Sequence, residues 1–207
     1  MKKSIAMLLS VVLLVGTLAA CGGSSSSGSA AATAPAASAE TVADLPELTG
    51  GFEKPILITS AGQSADANIV QTLCTKSGVV AEINATASAD DLSGYKTLII
   101  ASGGSSKGLG AAGINADQEL ERVNAVIDAA KESGMKIVVM HIGGGARRGE
   151  LSDKFIADPF NAADAAIVVS SGDSDGMIRG ILAENSVPSA YVDEQVDCVD
   201  CLTTLFS

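Results

Sequence analysis

Aromatic side chains are scarce in this 207-residue chain: two tyrosines, four phenylalanines and no tryptophan. A flavin ring ordinarily needs apolar or aromatic flanks, and Tyr95 and Tyr191 are thin provision, so no cofactor is expected. Histidine occurs once, at His141. One imidazole with a cysteine pair cannot complete a four-ligand zinc site. Basic residues are outnumbered, 13 against 24 acids, for a formal charge of −11. Such a surface repels nucleic acid and anionic headgroups, so neither is expected as a partner. The N-terminal apolar run, Ile5 to Val15 broken only by Ser10, falls short of the roughly 20 residues of a bilayer-spanning helix.

That short run has a different use. Lys2 and Lys3 precede it, and the small residues Leu18-Ala19-Ala20 lead from it into Cys21. A basic start, an apolar core and a small-residue exit are the three parts of a secretory signal. Leu-Ala-Ala-Cys resembles the lipobox of bacterial lipoproteins, which implies cleavage after residue 20. It also implies acylation of Cys21 by palmitate-type lipid. The expected location is the cell envelope, facing outside the cytoplasm, with the membrane as partner through that lipid. Loss of residues 1–20 removes two lysines and no acid, leaving 11 basic against 24 acidic residues and a formal −13.

Residues 21–53 are mostly Gly, Ser, Ala, Thr and Pro. With so few large apolar side chains, such a stretch cannot offset its ordering entropy, and it reads as a disordered tether. A single domain is expected over 54–207. Six apolar runs punctuate it: Ile56–Thr59, Val79–Ile83, Thr97–Ala101, Lys136–Met140, Ala166–Val169 and Ser189–Val192. Continuous β-branched runs suit strands covered on both faces. Amphipathic stretches at 66–77, 116–133 and 174–185 lie between them, and a shorter one after Gly149 is expected to break at Asp158-Pro159. Within 116–133, Leu120, Val123, Val126, Ile127 and Ala130 share a face. Alternating strands and helices predict an α/β three-layer sandwich with a mostly parallel sheet of five or six strands. Its order could be flavodoxin-like or Rossmann-like.

Ligands of open parallel sheets collect at the carboxyl ends of the strands. The loops predicted there hold Ser60, Gln63 and Ser64 after the first strand, and Gly104, Ser105 and Lys107 after the third. His141, Arg147 and Arg148 follow the fourth. Bare glycine backbone and hydroxyls can approach an anion, and an arginine can clamp a carboxylate or phosphate through two parallel bonds. These nine residues are the candidate ligand set; tight turns and helix caps are the alternative use of the same loops.

Several motif matches lack their context. Gly108-Leu109-Gly110-Ala111-Ala112-Gly113 spells a dinucleotide fingerprint but starts beyond the strand end, and its would-be acid, Asp128, falls inside a helix. Gly104-Ser105-Ser106-Lys107-Gly108 spells a nucleophile elbow without a suitably placed acid and histidine downstream. Thr59 to Ser64 looks like a relaxed flavodoxin phosphate loop. Asp173-Ser174-Asp175-Gly176 is a fragment of a calcium loop better suited to capping a helix. Cys198-Val199-Asp200-Cys201 sits among acids that disfavour thiolate, which argues against catalysis, although a disulfide is permitted outside the cytoplasm. Cys74 reads as a small buried hydrophobe.

Pro55 to Ser64, Ala146-Arg147-Arg148-Gly149, Ser152-Asp153 and the stretch from Ala163-Asp164 to Asp175-Gly176 resemble a family of uncharacterised bacterial lipoproteins built on a domain of unknown function. The resemblance covers roughly residues 54–196. It implies an α/β sandwich outside the cytoplasm, and no activity. The expected function is binding of a small anionic ligand for a membrane transporter or receptor. A hydrolase or flavoprotein using the same crevice, or a non-catalytic envelope protein, are the alternatives.

Overall fold

The computed structural model describes residues 44–207. The expected signal peptide, Cys21 and the expected tether as far as residue 43 lie outside the described residues. Six strands form one sheet: β1 (Ile56–Ala61), β2 (Glu82–Ile83), β3 (Thr97–Ser102), β4 (Lys136–His141), β5 (Ala165–Val169) and β6 (Ser189–Val192). Every pairing is parallel, in the order β2-β1-β3-β4-β5-β6. This is the flavodoxin-like arrangement extended by β6. The chain steps from β1 to one side, then crosses back to β3 on the other, so the order reverses between β1 and β3.

The four central strands, β1, β3, β4 and β5, are buried on both faces because their period-two alternation feeds two cores. Leu57, Leu98, Ile100, Ile137, Val139 and Val168 face one layer. There they meet α3 (Ala116–Glu132), α5 (Ala157–Asn161) and α6 (Met177–Glu184). Ile56, Ile58, Ile99, Val138, Met140 and Ile167 face the other, covered by α1 (Asp66–Lys76) and α7 (Cys198–Leu205). Two short helices, α2 (Ser106–Ala112) and α4 (Glu150–Asp153), sit in the loops at the carboxyl ends of β3 and β4. Among the described residues, no helix is long and apolar enough to cross a membrane.

The expected elements form, α2 is added to them, and four further differences stand out. The second strand shrinks to Glu82–Ile83, leaving Val80 82% exposed, because it is an edge strand with only β1 as partner. Asp158-Pro159 does not break a helix. Pro159 is the third residue of α5, where the amide it lacks has no intrahelical acceptor anyway. The C-terminal tail forms α7, whose Cys198, Leu202 and Leu205 are fully buried. Finally, the last ten residues of the expected tether are packed. Leu45, Leu48 and Phe52 lie against the two cores, the Pro46 carbonyl accepts from Ser189 N, and Phe52 N donates to the Leu205 carbonyl. Three large apolar side chains suffice to lay residues 44–53 across the amino-terminal end of the sheet.

Candidate functional site

The loops after β1 and β3 are knitted together at the point where strand order reverses. Gly103 N donates to the Ala61 carbonyl at 2.9 Å and Ser105 N to the Gly62 carbonyl at 2.8 Å. Gln63 and Gly104 add an antiparallel bridge. Such close approach requires glycine. A Cβ on Gly62 would lie 2.6 Å from the Gly103 carbonyl, and one on Gly108 would lie 1.7 Å from the Gln63 carbonyl. Gln63 itself adopts φ 56°, in the left-handed region.

Beneath these loops lies a buried charge network that the apolar pattern did not announce. Glu119 on α3 is fully buried. Its carboxylate accepts from Gly62 N at 2.9 Å, Gln63 Nε2 at 3.0 Å and Arg122 Nε at 2.8 Å. Arg122 donates in turn to the carbonyls of Ala87 and Ser60. One ion pair on a single helical turn thus fastens the end of β1, the loop after it and the segment after β2. The signal was present in the sequence: position 119 lies four residues before Val123 and seven before Val126, on the stripe that faces the core.

Above this network opens a cleft of about 430 Å³, bordered by Gln63, Ser64, Asn68, Ala85, Ser105 and Lys107. Lys107 is the one charged residue of its lining. Among the described residues it has no acidic partner within ion-pair distance. Gln63 contributes less than its position suggests, because its amide nitrogen is held by Glu119 and the Ala85 carbonyl. A cleft of about 440 Å³ between Asp90, Tyr95, Lys96 and Ser133 lies at the opposite, amino-terminal end of the sheet. Size does not separate the two; only the first sits at the reversal of strand order.

The remaining candidates share the carboxyl rim but not the cleft. Arg147 places its Nε 3.1 Å from the buried Asp66 carboxylate. Its stem lies across two bare glycines: a Cβ on Gly143 would fall 1.9 Å from its Cγ and one on Gly103 3.4 Å from its Cδ. Arg148 is fully engaged, with Asp153 at 2.8 Å, Asp175 at 2.7 Å and the Gly172 carbonyl at 2.7 Å. That contact draws the Asp175 carboxyl down to about 2. Ser60 and Gly104 are buried. The Ser60 hydroxyl is buried without a hydrogen-bond partner, and Ser60 does not line the cleft.

The family's sequence profile spans residues 53–206 of this chain, described as "Domain of unknown function (DUF6305)". The chain belongs to this family. The match includes the tail with Cys198 and Cys201, which the resemblance read from residues 54–196 had left out. No curated protein matches the chain. Among solved structures, AlinE4, described as an SGNH-hydrolase family esterase, is 10% identical over 72% of this chain and 81% of its own, with a TM-score of 0.30. A single-substitution variant of that esterase is 12% identical over the same shares, again at 0.30. At that score the likeness bears on neither chemistry nor substrate.

Motif by motif, the DUF6305 domain uses its glycine-rich segments as structure. Gly108 to Ala112 belong to α2, and Gly113, at φ 71°, ends that helix in the left-handed conformation. The Asp173 carboxylate caps α6, accepting from Ile178 N at 2.7 Å and Arg179 N at 2.8 Å. His141 is fully buried and stands 3.1 Å from the Ser102 carbonyl through Nδ1, which must therefore carry the proton. Its Nε2 has no partner.

Burial pushes the His141 pKa down, the Ser102 carbonyl opposes the shift and the Arg148 charge adds to it. An unfolded chain takes up this proton as pH falls below about 6.5, while the folded chain resists it. Stability from the neutral imidazole is therefore complete above that pH and is lost as pH falls toward the depressed folded value. The urea midpoint is expected to drop between pH 7.5 and 5.5, and His141→Gln should flatten most of that drop. An equal slope in both proteins would show that His141 does not carry it.

Proposed function

We propose that this domain binds a small anionic solute in the cleft between the β1 and β3 loops. Lys107 supplies charge, and Ser64, Ser105 and Asn68 supply hydrogen bonds. Arg147 stands at the neighbouring rim. Lipid on Cys21 would hold the domain outside the cytoplasm, where it would serve a membrane transporter or receptor. The observation that carries the reading is the cleft itself: it lies at the reversal of strand order, and its lining holds one cation and no acid in a chain of net charge −11. Ser60, Gly104, His141 and Arg148 are left out of the ligand set because none of them lines the cleft. A hydrolase built on Ser106 gains no support, since His141 is buried with its Nδ1 on a backbone carbonyl.

Titration calorimetry with inorganic phosphate and with succinate tests the proposal. Saturable binding of either anion is expected, weakened roughly tenfold or more by Lys107→Ala, since a hydrogen bond to a charged group contributes about 1.5–3 kcal/mol. Absence of binding by both probes, or equal affinity in Lys107→Ala, would remove the cleft as an anion site.

A further inference from the structure

Two thiols stand one turn apart on α7, and nothing in the cleft uses them. Cys198 opens the helix and is fully buried; Cys201 is partly exposed, and both are free. Positions three apart on an α-helix have Cα atoms about 5 Å from one another. A disulfide spans Cα separations of about 4.4–6.8 Å. The first turn of α7 therefore already holds its cysteines at bridging distance. Cys74 lies on a different helix, α1, and is buried.

We propose that Cys198 and Cys201 close into an intrahelical disulfide when the domain meets a small-molecule disulfide oxidant such as oxidised glutathione. Cys201, the accessible thiol, loses its proton to water and attacks one glutathione sulfur, and the other glutathione leaves as thiolate. The Cys198 sulfur, deprotonated in its turn, then attacks the Cys201 sulfur and expels the second glutathione. Two S–H bonds of the protein give one S–S bond, and the two electrons reduce glutathione disulfide to two thiols, which take up the two released protons.

The surroundings decide what kind of bridge this is. Burial pushes the Cys198 thiol up to about 12, with Cys201 and Asp197 adding to the effect. Burial and Asp200 raise Cys201 as well. High thiol pKa values make slow attackers and poor leaving groups, so the bridge forms slowly and resists reduction once made. It is a staple on the helix whose far end receives Phe52, through Phe52 N on the Leu205 carbonyl and the ring of Phe206. This inference stands independently of the anion cleft.

The full chain is incubated with oxidised glutathione, acid-quenched, denatured, alkylated and cut with trypsin. The peptide 180–207 contains Cys198 and Cys201, no other cysteine and no Lys or Arg. It is expected unalkylated and lighter than the dithiol form by two hydrogens, while Cys198→Ser should stop at a glutathione adduct on Cys201. Reduced glutathione should open the bridge about tenfold more slowly in the folded protein than in the isolated peptide. A doubly alkylated peptide, a persistent adduct in wild type or a link from Cys198 to Cys74 would overturn the bridge. Equal reduction rates would overturn its role as a staple.

Discussion

Glu119→Ala is expected to cost about 3–5 kcal/mol, because it strands the Arg122 guanidinium without its carboxylate in a nearly closed site. It also leaves Gly62 N and the Gln63 amide without an acceptor, so the loop at the cleft loses its floor. For a domain with about 5–15 kcal/mol in total, that is a large share. With no tryptophan in the chain, the measurement is urea unfolding followed by far-ultraviolet circular dichroism at neutral pH. The double variant Glu119→Leu/Arg122→Met should lose less than the single one, since removing both charges leaves neither uncompensated. A single-variant cost below about 1 kcal/mol would mean the pair is no stronger than an exposed one.

Gly62→Ala should be comparably severe for a steric reason. Gly62 has φ 102°, where L side chains are strained. The added methyl would also lie 2.6 Å from the Gly103 carbonyl, 2.7 Å from Gly104 Cα and 2.7 Å from a Phe155 ring carbon. Strain and overpacking together predict a loss of about 3 kcal/mol or more, with anion binding abolished if the cleft is the site. Gly110→Ala is the control. That position is helical and open, with nothing within 4 Å, so alanine should stabilise by about 0.5–1 kcal/mol. Gly62→Ala behaving like Gly110→Ala would refute the interlocked loops.

Parts of this are legible in the sequence, for identifiable reasons. The runs at Ile56, Thr97, Lys136 and Ala166 are apolar without alternation, and such runs suit a sheet covered on both sides. Asn115 and Gln118 form a capping box at the start of α3, and the expected helix of 116–133 is observed as 116–132. The charged site is less legible. Arg147 and Arg148 are neighbours in sequence and looked equivalent. Arg148 is fully engaged by Asp153 and Asp175, while Arg147 meets Asp66 through Nε alone. The pattern of the sequence does not separate them, because their partners arrive from α1, α4 and the loop between β5 and α6.

By itself the sequence determined the class of fold, the run of strands and helices, and the collection of small polar loops at strand ends. Periodicity and turn chemistry are local, so the order of residues alone carries them. Tertiary structure alone decided the order β2-β1-β3-β4-β5-β6, and with it which two loops face one another across a cleft. It also decided that Ser60 and His141 are core residues and which groups the core-facing Glu119 holds. Those outcomes depend on contacts between residues far apart in the chain, 57 positions between Gly62 and Glu119 and 81 between Asp66 and Arg147. Such pairings are set by how crossovers stack helices on the sheet, and hydrophobic pattern carries no address for them.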